Sequence, residues 1–299
     1  MNVQRRSDGL ILYSPTRNIV DTYTRPYLDC FMKTLVKWLA RVSAVLLILL
    51  AGPITTLMAG KSNTNWWNAS REPAGTAPDP SAHPAAIVQV YAARAFSWRG
   101  AFGVHTWISA KKTNELEYTV YEVIGWRVRG GLPAVVIHQE APDRYWFGNK
   151  PKIIAELRGG SVDDVIDRID TAARAYPYKN TYTVWPGPNS NTFIAWLGRA
   201  APELKLDLPP TAIGKDWLDA RKGHIVAPTP SGTGYQFSLF GLVGVLAGVE
   251  EGLEVNLIGL TVGVDPLDLA IKLPGIGRLG GSNGTEPKAS DTATARQQP

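Results

Sequence analysis

The chain has 299 residues, 44% of them hydrophobic and 19% charged, with 31 Lys+Arg against 26 Asp+Glu. This excludes a disordered chain, which combines low hydrophobicity with high net charge, and 29 glycines with 22 prolines argue against a plain helical bundle. A single cysteine excludes a disulfide framework and a cysteine-cluster zinc site.

Of the formal net charge of +5, four charges fall in residues 1–60, where Arg5, Arg6, Arg17, Arg25, Lys33, Lys37 and Arg41 are offset only by Asp8, Asp21 and Asp29. The rest of the chain is nearly neutral. A nucleic-acid surface needs clustered Lys and Arg interleaved with aromatics, and none follows residue 60, so nucleic acid is not an expected partner. Residues 42–60, VSAVLLILLAGPITTLMAG, carry no charge, and Lys33, Lys37 and Arg41 flank them on the N-terminal side only. A basic flank before an apolar run is the pattern of a signal peptide or signal anchor. The run is just long enough to span a bilayer, with Pro53 expected to kink it. Cleavage after Ala59 would leave Leu57 at the −3 position, so an uncleaved anchor over 32–60 is favoured. The positive-inside rule then puts the N-terminus in the cytoplasm and the remainder on the periplasmic side of the inner membrane. The bilayer is the expected partner of residues 42–60. The stretch from Met32, MKTLVKWLARVSAVLLILLAG, also reads as an export signal by itself, so residues 1–31 are either a cytoplasmic tail or an over-long start.

Residues 61–84 hold four prolines and few aliphatics and read as a linker. The stretch 281–299 is rich in Ser, Thr, Gly and Gln and reads as a disordered tail. The folded domain is therefore 85–280. Its opening is strand-like: Ala86–Tyr91, alternating Gly103–Ser109, alternating Glu117–Trp126 after a turn at Ala110–Glu115, and Val135–His138. From Ser161, Val162, Val165, Ile166, Ile169, Ala172 and Ala173 recur at helical spacing, with Ser161 and Asp164 resembling a capping box. Tyr182–Trp185 reads as extended. Pro186 and Pro188 forbid helix there, and Phe193, Ile194, Leu197 and Ala200 then set a second helical face. Gly234–Pro274 is apolar and glycine-rich, and Glu250–Gly252 between two apolar runs reads as the bend of a β-hairpin. The literal GxGxxG at Gly275, Gly277 and Gly280 follows a proline and precedes no helix, so no dinucleotide or other cofactor is expected.

His105 in the strand GVHTWIS and Ser190 at the helix start GPNSNTF are the sharpest candidates for chemistry. The order of a histidine strand followed some 85 residues later by a polar residue at a helix N-terminus resembles the circularly permuted papain-like fold of NlpC-type peptidases and lecithin retinol acyltransferase-like enzymes. Asn189, Ser190 and Phe193 fill three positions of those families' Asn-Cys-x-x-Phe motif, with serine in place of the nucleophilic cysteine. The chain as a whole is also similar to a family of bacterial membrane-anchored proteins of unknown function, which shares the anchor, the HTWI strand, the NSNTF turn and the glycine-rich end. The resemblance implies an α+β domain in which an antiparallel sheet packs with helices, beside the glycine-rich C-terminal hairpin and the single N-terminal membrane helix. It implies Ser190 as nucleophile, His105 as base and Glu122 as the residue orienting it, with His138 as the alternative orienter. Backbone N–H groups at the helix start would serve as the oxyanion site. Asn189, Asn191, Trp107 and Trp126 are candidate binding residues, with Trp146 and Trp185 as further cleft aromatics. The substrate class would be an amide or ester of an envelope peptide or lipid. Two alternatives stay open: a catalytically inactive envelope module that uses the same cleft for binding, and a purely structural β domain. Asn189 or Ser190 is also an ordinary helix cap, and His105 an ordinary interior histidine. No HxxxH or HxH spacing supports a metal.

Overall fold

The computed structural model describes residues 19–59 and 65–281, with side chains from Tyr27 onward. The first 18 residues of the expected N-terminal tail, and the expected C-terminal tail after Gly281, lie outside the described residues. The chain forms two compact units, Met1–Ile48 and Leu49–Pro299.

The described part of the first unit belongs to one helix, α1 (Ile19–Ala59), which continues through Pro53. Tyr27–Ala59 is long and apolar enough to cross a membrane, with a mean hydropathy of 2.2 over its most apolar 18 residues. The helix is thus longer than residues 42–60, because Lys33, Lys37 and Arg41 have good helix propensity and extend it toward the N-terminus.

Within the second unit, a five-stranded antiparallel sheet contains β1 (Ile87–Arg94), β2 (Val104–Lys111), β3 (Thr119–Val123), β4 (Val135–Gln139) and β5 (Lys152–Arg158) in the order β4-β3-β2-β1-β5. The first four strands stand where alternation predicts them; β5, in the run KIIAELR, was not anticipated. Strand pairing sets Tyr91 opposite Trp107 and Ala93 opposite His105. Because side chains alternate across a strand, His105 and Trp107 point to one face, and Thr106, Ile108 and Ala110 to the other. On the latter face Ile108, Tyr121 and Val123 pack with Ile166, Ile169, Phe193 and Leu197 of the two helices α2 (Val162–Arg174) and α3 (Ser190–Ala200). Fully burying a side chain such as Ile108 or Phe193 contributes about 1.5–3 kcal/mol. The opposite face carries Tyr91, Trp107, Val120, Trp146 and Phe147.

Three local expectations are corrected here. Ser161 precedes α2 but makes no side-chain cap, its backbone being already helical. Tyr182–Trp185 forms no strand. Residues 65–84, expected as a linker, run along the loop 140–149: Pro73 and Arg144 form a β-bridge, and the Tyr145 and Gly148 amides donate to the Glu72 and Ser70 carbonyls. Asp143 supplies the side-chain anchor, its carboxylate accepting from the Thr76 and Ala77 amides and the Thr76 hydroxyl. The prolines that suggested a linker instead hold an extended path that needs few amide donors.

The C-terminal part is not a single hairpin but a seven-stranded antiparallel meander. Its strands are β6 (Val226–Pro228), β7 (Gly234–Leu239), β8 (Val243–Gly248), β9 (Gly252–Leu257), β10 (Leu260–Asp265), β11 (Ala270–Leu273) and β12 (Gly277–Gly280), paired in chain order. The expected bend at Glu250–Gly252 does join β8 to β9. The three glycines of the GxGxxG string lie in and after the β11–β12 turn with φ of 70°, 110° and 84°, a region that side chains disfavour. Turn geometry is therefore what that string encodes.

The inward face of this sheet is mostly polar. Gln236, Ser238, Glu254, Asn256, Thr261, Asp265 and Lys272 are buried, while most of their neighbours along the strands are partly or fully exposed, Leu260 being a buried exception. Glu254 lies between Lys215 and Lys272; the Lys272 ammonium also donates to Asp207 at 2.6 Å. Arg278 joins Asp207 to Asp265, at 2.7 Å from each. Burial pushes the Asp207 carboxyl up to about 6 against the pull of Lys272, whereas the two lysines outweigh burial at Glu254 and hold its carboxyl low.

Candidate functional site

His105, Glu122 and His138 come from three adjacent strands and share a face. Register sets Val120 opposite His138 and Glu122 opposite Val136, so both side chains lie on the side of the sheet that bears His105 and Trp107. Glu122 is the hub. Its carboxylate accepts from Arg144 Nη2 at 2.6 and 2.7 Å and contacts His138 Nε2 at 3.0 Å. His105 Nε2 stands 3.5 Å from the other carboxylate oxygen, beyond ordinary hydrogen-bond length. Glu140 closes the outer side, 3.3 Å from His138 Nε2 and 3.2 Å from Arg144 Nη1.

Aromatic rings roof this group. Trp146 stacks on His105 with centroids 3.6 Å apart, and Trp107 lies beside both, 5.6 Å from the imidazole and 6.3 Å from Trp146. Trp107 Nε1 donates to the Pro142 carbonyl, which fixes the loop that delivers Arg144 and Trp146. Trp126 is 6.1 Å from Trp146, and Trp66 from the segment that follows α1 stacks on Phe147 at 4.2 Å. Arg71 covers Phe147 in turn, at 4.4 Å.

The electrostatics follow from this enclosure. Burial beneath Trp146 lowers the His105 pKa, so the ring is neutral at pH 7; Glu122 opposes that shift and Arg144 adds to it. Burial pushes the Glu122 carboxyl up, but the two imidazoles and the Arg144 charge outweigh it and hold the group well below the carboxylate range. Glu122, His138 and Glu140 offer ligand atoms within 4.8 Å of one another. Their donors come from β3, β4 and the following loop, which is why no sequence spacing revealed them. Arg144 already occupies both Glu122 oxygens and reaches Glu140, so a cationic partner is built into the cluster.

Ser190 lies elsewhere. It is the first residue of α3, which packs on the Thr106 and Ile108 side of the sheet, whereas His105 points to the opposite side. Among the described residues no hydrogen bond joins Ser190 to His105, Glu122 or His138. The other residues of the NSNTF turn have structural duties. Asn189 caps α3 by accepting from the Asn191 and Thr192 amides at 3.0 and 3.2 Å, and the Thr192 hydroxyl accepts from the Asn189 amide in return. The Asn191 carboxamide accepts from Thr106 Oγ1 at 2.8 Å and donates to the Val104 and Ile213 carbonyls, tying the helix to β2. Phe193 is fully buried. The structure thus brings together His105, Glu122, His138, Trp107 and Trp126, and leaves Ser190, Asn189 and Asn191 in a second group. Trp185, expected beside the cleft, instead donates to the Ile258 carbonyl at the C-terminal sheet. Arg144, Glu140 and the roofing position of Trp146 escaped the sequence reading; the dense run DRYWFGN at 143–149 is the signal that marks them.

Residues 85–217 match the profile of a family described as Protein of unknown function (DUF3750). The match takes in the five-stranded sheet, both helices and the Glu122 cluster, and stops before the C-terminal meander. No curated protein and no solved structure matches the chain.

Proposed function

We propose that the chain is a membrane-anchored envelope protein whose domain is a catalytically inactive binding module. One observation carries this reading: His105 is buried against Trp146 and Trp107 on the face of the sheet opposite α3. A serine hydroxyl needs a base within hydrogen-bond reach to lose its proton during attack. Among the described residues Ser190 has no hydrogen bond to such a base, which supports a module without the chemistry of the permuted papain-like families. The motif order that resembles those families is retained in a scaffold where Asn189, Asn191 and Thr192 fasten α3. The half-exposed aromatic and charged rim above Glu122, formed by Trp126, His138 and Glu140, is the part of the cluster open to a polar envelope ligand.

Anchoring is supported by the length and apolarity of Tyr27–Ala59 and by the basic residues on its N-terminal side, which orient the domain to the periplasmic side of the inner membrane. The test is labelling of the full chain with a serine-directed fluorophosphonate. The expected result is equal signal from wild type and Ser190→Ala; labelling that disappears in Ser190→Ala overturns the inactive reading.

A further inference from the structure

The outward face of the C-terminal meander is as apolar as its inward face is polar. Strand registers place Phe237, Val245, Val255, Val264 and Ile271 on one face. No Asp, Glu, Lys, Arg or His of β6–β12 shares it, and those five side chains are between 37% and 50% exposed. An exposed apolar face running across the five strands β7–β11 is the kind of surface that marks an interaction site.

The two ends of the sheet also differ. Turns 240–242, 258–259 and 274–276, all at one end, contain no ionisable residue, whereas turns 249–251 and 266–269 at the other end carry Glu250, Glu251 and Asp268. The uncharged end is where the last turns of α1 are fastened. Thr56 Oγ1 donates to the Gly275 carbonyl at 3.3 Å, and Gly52 approaches so closely that a Cβ there would fall 2.0 Å from the Pro274 oxygen. Beside the same turns stands half-exposed Trp185, bonded to the Ile258 carbonyl. Arg94 donates to the Ile276 carbonyl of the third turn. A tryptophan and an arginine at an otherwise charge-free rim are the composition of a membrane–water interface.

We propose that this face and its uncharged turns rest in the interfacial layer of the bilayer, giving the protein a second, monotopic attachment beyond α1. The inference rests on α1 being a membrane anchor. The sheet does not enter the hydrocarbon core, because the free N–H and C=O groups of edge strands β6 and β12 need water. It lies at the headgroup–acyl boundary, roughly 5–10 Å deep. Stacking against a second copy would cover the strand face but leave Trp185 and the apolar turns in water. The bilayer covers both, and it leaves the acidic end directed away from anionic headgroups.

The experiment uses the full chain carrying Cys30→Ser, with single substitutions Val255→Cys, Val245→Cys and Ile258→Cys on the proposed surface. Leu267→Cys at the acidic end and Arg174→Cys on α2 serve as references. Each is labelled with an environment-sensitive nitrobenzoxadiazole dye and reconstituted into phosphatidylcholine–phosphatidylglycerol vesicles, with or without brominated lipid. Flotation on a density gradient is read first, since it reports α1 separately. The expected result is co-flotation, a blue-shifted emission at 245, 255 and 258, and loss of half or more of that emission to brominated lipid, with the two reference positions unaffected. Co-flotation with water-like, unquenched emission at all five positions leaves the anchor standing and overturns the sheet proposal. Blue-shifted emission at 245 and 255 that brominated lipid does not quench, with a disulfide formed between Val255→Cys copies, assigns the face to a second copy and also overturns it. Failure to float overturns the anchor and the proposal together.

Discussion

Toward its helices the five-stranded sheet turns Val88, Ile108 and Tyr121, whereas the meander turns Gln236, Ser238, Glu254 and Lys272 inward and leaves Phe237, Val245 and Val255 outside. The same two-residue period serves opposite ends. In the first sheet apolar area is removed from water by α2 and α3. In the second, a layer of ion pairs around Lys215, Glu254, Lys272 and Asp207 joins the meander to the segment 202–219. Paired charges of this kind specify how elements fit more than they stabilise them, since desolvation offsets most of their attraction. The family match ends at Trp217, near the boundary between these two kinds of core.

The contrast can be broken at either sheet. The largest effect is expected for Lys272→Ala, which removes the cation shared by Glu254 and Asp207, leaves their buried cluster one positive charge short with only Lys215 and Arg278 to offset it, and costs about 3–5 kcal/mol; denaturant unfolding of the full chain in micelles measures it. Ile108→Ala removes packing only and is expected to cost about 2–5 kcal/mol, independent of salt, where the Lys272→Ala loss varies with pH. The third test uses the neutral histidine. A folded-state pKa below the free value of 6.5 means that the unfolded chain binds the proton more readily. The contribution of His105 is therefore complete above pH 6.5 and declines as pH falls below it. His105→Gln should flatten the stability curve in that window. Glu122, also depressed, acts only below its free value of 4.5, so the two slopes separate. Asn189→Ala deletes a helix cap and should cost about 1 kcal/mol in a thermal melt. The smallest change is expected for Val255→Thr: within about 0.5 kcal/mol in micelles, as for a surface position. A loss comparable to Ile108→Ala would mean that protein, not lipid or detergent, covers that face.

How much of this was legible before the fold was known depends on parity. The alternation in GVHTWIS and EYTVYEV gave β2 and β3, and with them the pairing of His105 with Glu122. Parity also separates His105 from Ser190. Thr106, one residue along, is the side chain that meets α3, and a shift of one position exchanges the faces of a strand. The motif order GVHTWIS–NSNTF does not encode which face the histidine takes. Trp146 was named as a cleft aromatic, but Arg144 and the stacking of Trp146 on His105 were beyond reach because both come from an irregular loop whose path is fixed by Asp143 and by the segment 65–79, far apart in sequence. In the meander, YQFSL, VGVLAG and LEVNL alternate plainly, yet periodicity does not say which set is inside. The usual assumption that the apolar set is buried gives the wrong answer there. Glycine density drew attention to a hairpin, but the repeated positive-φ turns are what allow six successive reversals.

The clasp between Thr56 and Gly275 has a consequence for the order in which the protein is made. The two residues are 219 positions apart. Ribosomes add about 5–20 residues per second, so the carbonyl that Thr56 meets is synthesised about 10–45 s after the hydroxyl. Asp143 follows Thr76 by only 67 positions, so the Glu122 face can close while the meander is still unmade. β11 and β12 are therefore the last strands to be made, and the helix end has no partner for its Thr56 clasp until they are.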